Sequence, residues 1–143
     1  MKVLGMQLVE MTTALPDNQG KSAIQVIAEA DLPVKVSLRI ARLMKDLVAE
    51  AAILDQERVK LIRKFGTKDD ATGNISVPPD RFLEFRVEWQ KALDSEVEID
   101  REAINLSDKD IEGLRIAPRI ILCLEPAVTF GEPDGTPIPK PGA

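Results

Sequence analysis

The stretch from Pro33 to Phe65, PVKVSLRIARLMKDLVAEAAILDQERVKLIRKF, carries Val36, Ile40, Leu43, Leu47, Ala51, Leu54, Leu61 and Phe65 at spacings of three, four and seven. Those spacings keep returning to one side of a 3.6-residue helix, so the segment predicts a single amphipathic helix over about 33–65. Only Arg58 interrupts the stripe, at a position where an apolar residue is expected. Pro33 suits a first helical turn and disfavours helix in Leu32 before it. Lys60, Arg63 and Lys64 gather at the far end, where cations complement the helix dipole, and Gly66 is a natural stop. A helix of about 32 residues is roughly 48 Å long, and a stripe of that length is built to be covered by something else.

Downstream, Thr67 to Val77 is polar and reads as a mobile connection. Pro78-Pro79-Asp80 opens a second helix, expected over about 79–94, with Phe82, Phe85, Trp89 and Leu93 on one face. Folded back, its aromatic side chains would cover the stripe near Leu54 and Leu61, giving a helical hairpin. Glu96-Val97-Glu98-Ile99-Asp100 alternates with period two and reads as a half-buried strand, which Ile104 and Leu106 continue or pair with. Ser107-Asp108-Lys109-Asp110 caps one short turn ending at Gly113, and Pro118 opens a last short helix through Leu124, ended by Pro126.

Upstream, Lys2 to Met11 shows no helix-period stripe and reads as a strand. Pro16-Asp17-Asn18-Gln19-Gly20 is a turn. In Ser22–Ala30 the polar residues Ser22, Gln25 and Glu29 fall three and four apart, which favours a short helix. From Glu125 on, Pro126, Pro133, Pro137, Pro139 and Pro141 alternate with Gly131, Gly135 and Gly142, a composition that packs poorly by itself. The expected fold is therefore α+β and mostly helical. A long-helix hairpin carries a small sheet from the N-terminal segment and the strand near Val97. One globular domain spans 1–125 and an extended Pro/Gly-rich tail 126–143.

The composition narrows the function. The 143 residues suffice for one hydrophobic core, and 44% apolar with 30% charged residues is the balance of a soluble globular protein, expected in the cytoplasm. The start of the chain lacks the apolar run of a signal peptide, and no segment reaches the roughly 20 apolar residues of a membrane span. The net charge of −5, with both signs interleaved, disfavours nucleic acid as a partner. The chain contains no histidine, the side chain most used for proton transfer and metal binding near neutral pH. Its lone Cys123, within Ile120-Ile121-Leu122-Cys123-Leu124, reads as a buried inert thiol.

The remaining polar clusters lack the spacing that chemistry requires. Asp69-Asp70-Ala71-Thr72-Gly73-Asn74 lacks the alternating ligands and terminal Glu of a calcium loop and reads as solvated. The row Asp94, Glu96, Glu98, Asp100 and Glu102 reads as a solvated strand face. No base accompanies Ser37, Ser76 or Ser107, and the glycines are scattered rather than gathered in a phosphate loop. No catalytic residue, cofactor or metal is expected, and the protein reads as a non-enzyme acting through protein contacts. Lys35, Arg39, Arg42 and Lys45 form one basic helical face, with Arg42 expected to pair with Asp46. Arg39, Arg42 and Lys45 are expected to orient a partner, while Phe130 and Ile138 anchor the tail as an extended docking arm.

Leu32-Pro33-Val34-Lys35-Val36-Ser37-Leu38-Arg39-Ile40-Ala41-Arg42 leads into the long helix, which ends Glu57-Arg58-Val59-Lys60-Leu61-Ile62-Arg63-Lys64-Phe65-Gly66. A second helix, the acidic strand around Glu96-Val97-Glu98-Ile99 and a final segment around Leu114 to Leu124 come after it. This order, over roughly Ile24 to Leu124, resembles a family of small, uncharacterised tailed-bacteriophage proteins. The resemblance implies a phage origin and no catalytic residues. The expected function is then that of a phage structural or assembly protein, whose partners are other phage proteins or further copies of itself. The alternative is a phage-encoded regulator that binds a host protein of the polymerase or nuclease class. The expected location is the host cytoplasm, or the virion for a structural role.

Overall fold

A computed structural model describes residues 1–131; Ile138, expected as a tail anchor, lies outside them. The fold is mixed α+β and mostly helical, as expected. Strand β1 (Lys2–Leu4) leads directly into α1 (Gly5–Thr12), followed by α2 (Ala23–Ala28) and the long α3 (Val34–Phe65). A two-residue ladder of β2 (Thr67–Lys68) and β3 (Ile75–Ser76) precedes α4 (Phe82–Leu93). Then come β4 (Glu96–Glu98), β5 (Ile104–Leu106), α5 (Pro118–Leu124) and β6 (Val128–Phe130).

The long helix is the axis of the molecule. Pro33 caps it, and at its end Gly66 turns extended while its N–H still reaches the Ile62 carbonyl at 2.7 Å. Ile40, Leu43, Leu47, Leu54 and Phe65 of its stripe are buried, and α1, α2 and α4 pack against it. The helical hairpin forms as expected: α4 runs back along α3, with the Arg81 guanidinium 5.1 Å over the Phe65 ring at one end and Trp89 beside Leu54 at the other. The remaining core comes from Val3, Leu8, Met11, Ile24, Ile27, Leu106, Ile120, Leu124 and Val128. Ser22, itself buried, caps α2 by accepting from the Gln25 N–H at 3.3 Å.

The first sheet joins β1 antiparallel to β4, Val3 opposite Val97, so the N-terminal segment and the acidic strand do pair. The expected strand from Lys2 to Met11 nevertheless ends at Leu4. Gly5, Leu8 and Met11, three apart, form the buried face of a helix, and the Thr12 and Thr13 hydroxyls donate back to Leu8 and Val9 carbonyls at its end. The polar connection after α3 is also more ordered than expected, being the β2–β3 hairpin.

The largest departure concerns the boundary at 125. Strand β6 lies parallel to β5, Ile104 opposite Val128 and Leu106 opposite Phe130, with α5 as the crossover between them. Ala127 and Val128 are fully buried. The packed body therefore runs through Phe130, and β5 pairs with this strand instead of with the acidic one. Pro126 and Gly131, read as signs of a tail, bound the strand: Pro126 lies just beyond α5, and Gly131 turns the chain away with a φ of +85°.

Candidate protein interface

Between α1, α3 and α4 runs an apolar groove of about 410 Å³. Its floor is Val48, Ala51 and Ala52 of α3, where small side chains leave room between the flanking helices. Val9, Thr12 and Thr13 form one wall and Trp89 contributes to the lining. At one end Arg58 donates through Nε to the Asp55 carboxylate at 2.9 Å, with a second guanidinium nitrogen at 2.8 Å. Arg58, the one residue out of place in the apolar stripe, thus lines the edge of this groove instead of entering the core.

Apolar side chains continue outside the groove. Leu38 and Val48 on α3 are each half exposed, Val34 more so, and Leu83 on α4 is 72% exposed beside Val87. Leu83 and Val87, one turn apart, lie on the side of α4 opposite Phe85 and Trp89. Apolar groups cost free energy in water, of order 25 cal/mol for each Å² left exposed.

On α3 the spacings of three and four keep Lys35, Arg39, Arg42 and Lys45, all exposed, within about 120° of the helix circumference. Arg39 and Arg42 line a shallow concavity of about 290 Å³ with Asp100, Arg101, Glu102 and Ile104, so two of the expected acidic residues lie beside them. Asp46 pairs with Arg101 from the loop after β4 and not with Arg42, which corrects the expected pair. Arg42 and Asp46 lie four residues apart on α3, about one turn, but the tertiary fold supplies Asp46 with a guanidinium from a different element. Lys45, exposed one turn on from Arg42, does not line this concavity. Phe130, expected as an anchor of a docking arm, is half-buried in β6 and packs against the core. The reason is again the unforeseen pairing with β5.

The acidic row is partly neutralised. Glu96 lies 4.0 Å from Lys2 and Glu98 3.9 Å from the Met1 amino group across the β1–β4 pair. That amino group also donates to the Ile99 and Arg101 carbonyls at 2.7 and 2.8 Å. In the hairpin loop the Asp69 carboxylate accepts from the Ala71 N–H at 2.9 Å, closing a turn. Among the described residues no cluster of three or more acidic or Cys side chains has the arrangement of a metal site. Hydrogen bonds from Lys21 and then Gln25 hold the Glu29 carboxyl below its ordinary value, and Lys91 does the same for Glu88. Cys123 is half-buried against the core. No helix among the described residues is long and apolar enough to cross a membrane. No protein-family model, curated protein or solved structure matches this chain.

Proposed function

We propose that this chain is a non-enzymatic assembly protein of a tailed bacteriophage that works through contacts made by the α3–α4 hairpin. The observation that carries the reading is the apolar groove floored by Val48, Ala51 and Ala52, together with a separate pair of exposed apolar side chains, Leu83 and Val87, on the opposite side of α4. Such a surface gains free energy when a partner removes it from water. The phage origin rests on the resemblance of the Leu32–Gly66 segment and the elements after it. Its place is the host cytoplasm during assembly and the particle thereafter. Mass spectrometry of purified virions, paired with deletion of the gene, tests this directly. Presence in particles or failed assembly is expected; absence from particles with normal assembly overturns the reading.

The competing reading, a regulator of a host polymerase or nuclease, draws on the exposed basic side chains Lys35, Arg39 and Lys45, which suit an electrostatically steered contact. Recovery of one stoichiometric host partner on affinity purification from infected cells selects it over the assembly role.

A further inference from the structure

The long helix carries a second seam. Starting at Val34 and stepping four and three alternately, the positions are Val34, Leu38, Ala41, Lys45, Val48, Ala52, Asp55, Val59 and Ile62. This is an unbroken heptad pattern lying beside the buried stripe, apolar except at Lys45 and Asp55. Leu38, Ala41, Val48 and Ala52 are exposed, Val59 and Ile62 half-buried, and Val48 and Ala52 form the floor of the groove. The chain covers one stripe of α3 and leaves this one largely open.

From that seam, and resting on the assembly reading above, we propose that the occupant of the groove is α3 of a second copy of this chain, packed antiparallel about a twofold axis near residue 50. In an antiparallel pair each position meets one whose number sums with its own to a constant. With that sum set at 100, Val48 faces Ala52, Ala41 faces Val59 and Leu38 faces Ile62 of the other copy. The same register sets Lys45 opposite Asp55, twice by symmetry. The two charged residues that break the apolar pattern therefore meet each other and nothing else in the seam. Moving the register by one heptad sets Lys45 against Val48 or Ile62 and Asp55 against Leu38 or Ala52, so Lys45 loses a carboxylate partner and faces apolar groups, which is costly. A parallel pair stacks Lys45 on Lys45 and Asp55 on Asp55. A single polar layer that fixes register and direction is a known device of paired helices.

The surroundings fit this occupant. Ala41 and Ala52 are small enough for the two helix backbones to approach closely. Asp55 is held at the groove edge by Arg58. The lysine it would meet, Lys45, is exposed. From Leu38 to Ile62 the contact extends about 36 Å along the helix. An isologous contact of this kind closes on itself at two copies.

Sedimentation velocity on the full chain across a range of concentrations tests the proposal. A dimer is expected, with Lys45→Asp and Asp55→Lys each raising its dissociation constant by about 30-fold or more. The double variant carrying both changes is expected to recover most of the affinity, a rescue that a merely structural role of either residue does not give. Because both side chains are on the surface, circular dichroism of each single variant should match the parent and shows that any loss is not unfolding. Direction is read in a Cys123→Ser background: mixing Val48→Cys with Ala52→Cys chains should form a disulfide between copies, and neither alone should do so. A monomer at all concentrations, a dimer indifferent to the charge reversals, or cross-linking of either single-cysteine chain with itself overturns the proposal. If the chain is monomeric yet Val48→Glu abolishes its incorporation into particles, the assembly reading stands and only self-pairing has failed.

Discussion

Gly5 has no room for a side chain. A Cβ placed there would lie 2.5 Å from the Ala92 carbonyl oxygen, and the Gly5 N–H already donates to the Ser95 carbonyl at 2.9 Å. This residue lets the start of α1 touch the end of α4, so that β1 can pair with β4. Both neighbours are backbone and yield little, so Gly5→Ala is expected to lower stability by about 1–3 kcal/mol. Urea denaturation followed by circular dichroism measures it, and an unchanged midpoint would show that the α1–α4 contact is looser than these distances imply. Leu83 stands at the other extreme: it is 72% exposed. Leu83→Ser and Val87→Ser are expected to change stability by no more than about 0.5 kcal/mol. Their effect should instead be seen in partner binding, so a fall of several degrees in Tm would mean that this face is already covered.

Among the elements, β6 is the last one described and belongs to the packed body. Its Val128 and the preceding Ala127 are fully buried, and Asn105 donates to the Thr129 hydroxyl at 2.9 Å across the pair. Ending the chain after residue 131 should leave Tm within about 2 °C of the parent. Ending it after Glu125 removes the strand, its ladder and two buried side chains, and should cost at least about 3 kcal/mol. Thermal melts of the two truncations side by side check this, and equal melting temperatures would place β6 outside the cooperative unit. The β5–α5–β6 unit escaped sequence reading because three-residue strands carry almost no periodic signal. A parallel partner two dozen residues away leaves no local trace either.

For the whole molecule, the absence of histidine makes a thermodynamic statement. No side chain with an ordinary pKa titrates between about pH 5.5 and 7, so stability should be nearly flat there. Below that range the sign is set by carboxylates. Glu29 and Glu88 are held below an ordinary value of 4.5 by hydrogen bonds from Lys21 and Lys91 in the folded chain. The unfolded chain then binds protons first as pH falls, so their contribution is present above about 4.5 and is lost progressively on acidification. Tm measured from pH 3 to 7 should show a plateau and then an acid decline; a maximum below pH 4 would contradict it. Glu29 is exposed and Glu88 half-exposed, so the decline attributable to them is shallow.

Some of this protein was settled by its sequence. The α3 stripe, the Pro33 and Gly66 boundaries, the α4 aromatic face and the Pro118 start of α5 are local signals, and the structure has all of them where periodicity and capping place them. The pairing of the N-terminal segment with the strand near Val97 was legible as well, because alternation marks a strand that needs a neighbour. Other features were decided only in three dimensions. Helix α1 depends on Gly5 lying against α4, Phe130 is held by β5, and Arg42 loses Asp46 to Arg101 from a distant loop. The groove exists because three helices surround the alanines of α3. Periodicity reports how one element meets an apolar environment; it carries no information on which distant residue supplies the contact, and that choice is made by packing the whole chain at once.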